Sequence, residues 1–255
     1  MSLRGPSVGD DPLGRETLKS QVIHELGSAL VSGRWQAGEN IQLEHLAAHY
    51  GVSLSVVREA VSVLSSIGLV ESRRRLGTIV QPASNWDNLN PQLINWRLAD
   101  PQQRADQFHW LIELRAALEP AAASLAALRR SPEQAARLVT LAQDLQRCAG
   151  RRDLAEFLNF DIEFHQELYL ASGNPQMGQM ANQMQAILTA RHQFGLMPSK
   201  PDPRAMELHA LLAQAIMSFD IESATFASTH IVKQATAEFE AAMRASAASA
   251  SSTES

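Results

Sequence analysis

The sequence predicts a mainly α protein in two parts, an N-terminal winged helix-turn-helix and a C-terminal all-α helical bundle. Three observations predict it. Residues 43–80 carry two short apolar-striped segments broken at Gly51-Val52-Ser53, followed by a basic loop and a strand. From about residue 103 almost to the end, apolar positions recur at spacings of three and four. No strand-like alternation competes in that second stretch.

The N-terminal elements follow in order. Leu43, Leu46 and Ala47 form one stripe, predicting a helix over Leu43–Tyr50. Gly51 suits the sharp turn between two short helices. Ser53 stands where an N-cap is needed, and Val56, Val57, Ala60, Val61 and Leu64 give the buried face of a helix over Leu54–Ile67. Its outward residues are Leu54, Ser55, Arg58 and Glu59. Such a helix enters the major groove with its first turns toward the bases, so Arg58 is placed to reach a base edge or a phosphate. Arg73, Arg74 and Arg75 would track the adjacent backbone, where charge adds affinity without reading sequence. Gly77 permits the return into a strand at Ile79-Val80. Ser53, Ser55, Arg58, Arg73, Arg74, Arg75, Gly77 and Thr78 are therefore the expected DNA-facing set. A helix-turn-helix pattern alone also occurs in helical bundles, and three arginines are often a solvated loop. It is the order of turn, Arg-Glu helix and basic wing that favours DNA.

Composition bounds the rest. The chain has 255 residues, 45% hydrophobic and 19% charged, with a formal net charge of −5. That suits two modest globular domains. We place the winged domain at 12–83, a linker at 84–102 and the bundle at 103–245. The first dozen residues and the Ala/Ser-rich stretch from Ala245 are expected to fray. Eight basic residues before position 84 are matched by eight acidic ones, so DNA binding would rest on local patches and dimer avidity rather than bulk charge. Cys148 is the single cysteine, which excludes a disulfide framework and a thiolate-rich metal site. No apolar run reaches membrane-spanning length and no signal-peptide core is present, so a cytoplasmic protein is expected.

In the bundle, helices are predicted near 103–128, 131–149, 153–172, 176–195, 203–219 and 221–245. Ser131-Pro132, Gly150, Gly173-Asn174-Pro175 and Pro198–Pro203 supply the breaks. Asp161 and His165, four apart, project from one helix face; His209 and His230 lie on later helices. One carboxylate and three imidazoles suit Zn²⁺, with Ni²⁺ or Mn²⁺ as alternatives, and leave positions open for a ligand. Taken singly, each histidine is more often a satisfied half-buried residue. Arg115 can grip a carboxylate through two hydrogen bonds, or it can pair with Glu119 four residues on.

The run Gly51-Val52-Ser53-Leu54-Ser55-Val56-Val57-Arg58-Glu59-Ala60-Val61, with Gly68-Leu69-Val70 and Gly77-Thr78, resembles the GntR family of transcriptional regulators. Leu54 and Glu44 stand where that family commonly has DNA-contacting arginines, so a family operator consensus does not transfer. Glu113-Leu114-Arg115-Ala116-Ala117-Leu118-Glu119-Pro120, Asp161-Ile162-Glu163-Phe164-His165, Ser172-Gly173-Asn174-Pro175 and the stretch from His209 resemble the FCD effector domain of the FadR-like subgroup. The resemblance implies a divalent metal, most simply zinc, on Asp161, His165, His209 and His230. It also implies an effector contact by Arg115, with Arg191 and Asn182 as weaker candidates. Asn85-Trp86-Asp87-Asn88-Leu89-Asn90-Pro91 resembles the linker of sugar-acid, galactonate-type repressors. Alternatively, Trp86 and Trp96 only anchor the linker to the bundle.

The expectation is a homodimeric, ligand-responsive repressor that binds a pseudo-palindromic operator and a small carboxylate such as a sugar acid, and has no membrane partner. One alternative is a metal-independent acyl-CoA sensor. A metal-dependent hydrolase is the rival from another class. Glu163 and Glu167 fall on other helix faces than Asp161, leaving no clear general base, so the chain reads as a non-enzyme.

Overall fold

The computed structural model describes residues 12–151, 154–193 and 202–253. The chain divides into two compact units, 1–100 and 101–255.

In the first unit, α1 (Pro12–Val31), α2 (Leu43–Tyr50) and α3 (Leu54–Ser66) precede a hairpin of β2 (Val70–Arg73) and β3 (Gly77–Val80). A two-residue strand β1 (Asn40–Ile41) pairs with the other side of β3, giving the antiparallel order β1-β3-β2. This is the winged helix-turn-helix architecture. Gly51 ends α2 in the left-handed conformation (φ 64°), and Ser53 caps α3 by accepting from the Val56 N–H. Leu26, Leu30, Val57, Ala60, Leu64 and Leu69 are essentially inaccessible and form the core.

The segment expected to be a linker folds onto this first unit. Asn90 caps α4 (Pro91–Ala99), with Pro91 in its first turn. Leu93 and Trp96 join the winged core. Gly27 makes room on α1: a Cβ there would meet the Trp96 ring at 2.4 Å. The Trp96 indole N–H donates to His24 Nδ1 at 3.2 Å, and Trp86 donates to the Gln81 carbonyl at 3.1 Å. Both tryptophans thus anchor the linker to the winged unit itself. Trp96 finds its site because glycine leaves a slot on α1, which apolar periodicity does not reveal.

The second unit is the expected bundle: α5 (Arg104–Arg129), α6 (Pro132–Arg151), α7 (Leu154–Ala171), α8 (Pro175–Gln193), α9 (Pro203–Met217) and α10 (Ile221–Thr253). Ser131 and Gln134 form a reciprocal capping box at α6. Ser172 and Asn174 bracket Gly173 (φ 65°), closing α7 and opening α8. Arg130 donates to the carbonyls of Ile216 and Met217, capping the C-terminal end of α9. The last helix runs to Thr253 through the Ala/Ser stretch expected to fray. Helix α5 packs against α7, α9 and α10, and that arrangement builds the bundle's polar centre.

Candidate functional site

Asp161 and His165 lie one turn apart on α7, and His209 faces them from α9. All three are buried, and their ligand-capable atoms lie within 4.8 Å of one another. Asp161 Oδ1 is 3.6 Å from His165 Nε2 and 3.5 Å from His209 Nε2. These separations are too long for hydrogen bonds. They do suit the edge of a tetrahedron, which is about 3.4 Å for metal bonds near 2.1 Å.

The donors are also correctly prepared. His209 Nδ1 lies 2.6 Å from the Ala205 carbonyl and donates its N–H there, leaving Nε2 as a lone pair. That nitrogen is buried and has no hydrogen-bond partner among the described residues. His165 Nδ1 faces Glu119 Oε2 at 3.3 Å without hydrogen-bond geometry, and its Nε2 can only accept from the neighbouring Arg115 guanidinium, so it too carries its lone pair. Such outer partners orient metal-ligating imidazoles. The residues present therefore fit a divalent ion.

His230, the fourth expected ligand, is not in this group. It is half-buried on α10, its ring centroid 4.0 Å from that of Phe226 and its Nδ1 2.8 Å from the Phe226 carbonyl. Stacking and that hydrogen bond keep the imidazole on its own helix. Three of the four predicted ligands converge.

Arg115 and Glu119 on α5 complete the centre. Arg115 donates through Nε to Glu119 Oε1 at 2.7 Å and through Nη2 to Oε2 at 3.3 Å. The same Nη2 is 3.3 Å from His165 Nε2. Both residues are almost wholly inaccessible. Here the i,i+4 pairing is realised, and Arg115 is engaged within the protein. Burial opposes ionisation of Glu119, but the charges of Arg115 and His165 override it and hold its carboxyl down to about 2. Asp161 is likewise pulled well below the usual carboxylate range: burial works against ionisation, while the His209 contact and the charges of His165, His209 and Arg115 prevail. Metal ligation requires both imidazoles neutral, and in that state Arg115, Glu119 and Asp161 carry one net negative charge.

Sequence reasoning read Glu119 only as a possible mate for Arg115 and passed over Tyr169. Tyr169 is one turn beyond His165 on α7, fully buried, its hydroxyl without a hydrogen-bond partner among the described residues. Its spacing from His165 was the available signal. Asn182 and Arg191 lie on α8, with side chains outside the described residues. Glu163 pairs with Arg137 of α6, and Glu167 lies beside Gln134 and Arg137. Both acids are directed away from Asp161.

On the winged unit, Ser55 and Arg58 are exposed on the first turns of α3, and Leu54 is half-exposed. Ser53 is exposed, but its hydroxyl is the helix cap. Arg74 and Arg75 are in the hairpin turn, with Arg75 at φ 67° and the exposed Gly77 at φ 84°. Asn40 donates to the Leu76 carbonyl and braces that turn, a role the sequence did not disclose. Arg73 ends β2 rather than lying in the loop, and pairs with Glu71 at 2.9 Å. Thr78 is a correction: its side chain is buried, because the alternation of β3 turns it inward, away from a DNA-facing surface.

Residues 18–80 match the family described as bacterial regulatory proteins, gntR family, and residues 110–234 match the FCD domain. The HTH-type regulator YieP of Escherichia coli K12 is 28% identical over 220 residues, covering 84% of this chain and 94% of that protein. The galactonate operon transcriptional repressor of the same strain is 24% identical over 221 residues, covering 85% and 94%. The repressor NanR of Cronobacter sakazakii is 31% identical over 173 residues, covering 67% and 65%. Among solved structures, the Listeria monocytogenes agr-system regulator Lar aligns at a TM-score of 0.55 and 17% identity over 93% of this chain and 99% of its own. No helix among the described residues is long and apolar enough to cross a membrane. An operator-reading winged unit followed by an FCD bundle makes this chain a GntR-family transcriptional regulator of FadR-like architecture, a family of regulators rather than enzymes.

Proposed function

We propose that the protein is a homodimeric repressor that releases or binds its operator in response to a small carboxylate held at a metal centre. The observation that carries this reading is the convergence of Asp161, His165 and His209 beside Arg115. Zinc is the ion of choice for one carboxylate and two imidazoles, with nickel or manganese as alternatives. The ion would supply a Lewis-acidic position for the ligand's carboxylate.

Charge supports the order of events. A divalent ion converts the buried net charge from −1 to +1, and a monocarboxylate then neutralises it. Buried charge is tolerated when it is paired. The Nη1 donors of Arg115 take no part in the bonds to Glu119 and His165, and they are the ones a ligand carboxylate would take. A sugar acid is the favoured class, since the galactonate operon repressor is among the relatives. Repression follows from the same relatives, and a dimer from the two-fold operators that winged proteins read. The ligand acts by binding the DNA-competent and DNA-incompetent states with different affinities.

The test is thermal unfolding of zinc-loaded protein against a panel of aldonates, uronates and short carboxylates, with and without chelator. A ligand of the folded state raises the midpoint once its concentration exceeds its dissociation constant. A selective shift abolished by chelator, and matched by altered operator affinity, supports the reading. A shift with acyl-CoA alone, indifferent to chelator, refutes it.

A further inference from the structure

The Tyr169 hydroxyl stands outside everything assigned above. Asp161, His165 and Tyr169 recur every four residues on α7 and so share one face. A long helical side chain leans back over the turn preceding its own Cα. This brings the phenol toward His165 and within electrostatic range of Glu119 and Arg115. Burial, reinforced by the Glu119 charge, pushes its ionisation upward, so the group is a neutral O–H, able to donate one hydrogen bond and accept others.

A fully buried hydroxyl is normally hydrogen-bonded, because leaving it unpaired is unfavourable. Here Tyr169 is 0% exposed and its oxygen has no partner among the described residues. Glu119 is bonded to Arg115 and Ser172 to the Tyr169 carbonyl, while His165 Nδ1 is itself buried without a hydrogen-bond partner among the described residues. Phenylalanine would fill the same volume without an orphaned oxygen, so an unpaired phenol beside a charged centre fits a bond made to something that enters.

We propose that Tyr169 reads a hydroxyl group on the effector and makes the site selective for hydroxycarboxylates over the corresponding plain carboxylates. The inference rests on the carboxylate reading above. Asp161, His165, His209 and Arg115 would take the carboxylate end, and Tyr169, about one helical turn (roughly 6 Å) further along α7, would take a hydroxyl on the chain behind it. A site built to pair with a hydroxyl rejects the analogue lacking it, since its own group is then left unpaired. One such bond is worth about tenfold in affinity.

The experiment compares zinc-loaded wild type with Tyr169→Phe, using butyrate and its 2-, 3- and 4-hydroxy derivatives, then hexanoate and gluconate. Dissociation constants come from calorimetry and stability from thermal unfolding. The expected result is that wild type prefers at least one hydroxylated member by about tenfold. In Tyr169→Phe that preference should vanish while affinity for the plain acid stays. The ligand-free variant should unfold no lower than wild type. Equal binding of plain and hydroxylated acids by wild type would overturn the inference and leave the carboxylate reading intact. So would a preference that survives in the variant. A ligand-free variant that unfolds more than about 3 °C lower would show that the hydroxyl has a structural partner, again against the inference. If no member of either series binds, the carboxylate reading falls and this inference with it.

Discussion

Replacing Glu119 by glutamine keeps the shape of the side chain and removes its charge. Arg115 then remains buried with no counter-charge on its own helix. The two side chains are 2% and 1% exposed and meet at 2.7 Å, so solvent screening is negligible. Removing one partner of a buried pair costs about 3–5 kcal/mol. The ionisation of Glu119 gives an independent figure: its carboxyl is held at about 2 against an ordinary 4.5, equivalent to about 3 kcal/mol. For a unit of this size that lowers the unfolding midpoint by roughly 6–20 °C. The sign in pH follows from the depressed value. The stabilisation is fully present above pH 4.5 and is lost as pH falls toward about 2. Calorimetric scans of chelator-treated wild type and Glu119→Gln should therefore differ most near neutrality and converge in acid. The double variant Arg115→Met/Glu119→Leu should recover much of the loss, because neither charge of the pair is then left without the other. A Glu119→Gln midpoint within about 2 °C of wild type at pH 7 would refute the reasoning, as would a difference that does not narrow below pH 4.5.

Arg58→Ala should weaken operator binding by about 1–3 kcal/mol with the unfolding midpoint unchanged, since the side chain is exposed; fluorescence anisotropy across a salt series measures it, and unaltered affinity removes Arg58 from the interface. His209→Ala should abolish stoichiometric zinc by elemental analysis, while His230→Ala should retain most of it; the reverse pattern would restore His230 as a principal ligand. Gly27→Ala should displace Trp96, cost about 1–3 kcal/mol and red-shift the tryptophan emission; an unchanged spectrum would show that the indole does not need the slot.

Helix α3 and the bundle helices were readable from apolar positions at spacings of three and four and from breaks such as Ser53, Ser131-Pro132, Gly173-Asn174-Pro175 and Asp202-Pro203. Helix α4 was not, since its partner surface on α1 depends on the absence of a side chain at Gly27. The pair Asp161/His165 was visible as local spacing, and only the packing of α9 brings His209 to it. His230 has the right residue type on the right helix, yet a contact with Phe226 fixes its ring elsewhere. Thr78 failed for a simpler reason: a strand's alternation decides which neighbour of Gly77 faces out, and the wing's register cannot be counted without its pairing to β1.

The exposed face of α3 bears on how this protein can change over generations. Ser55 and Arg58 contribute almost nothing to the core built by Val57, Ala60 and Leu64 on the opposite face. Substitution on the outer face therefore leaves folding stability nearly constant, and if that face reads the operator as proposed, specificity is free to vary there. On that reading, the promoters such a regulator serves could be exchanged one residue at a time, with no intermediate passing through a misfolded state.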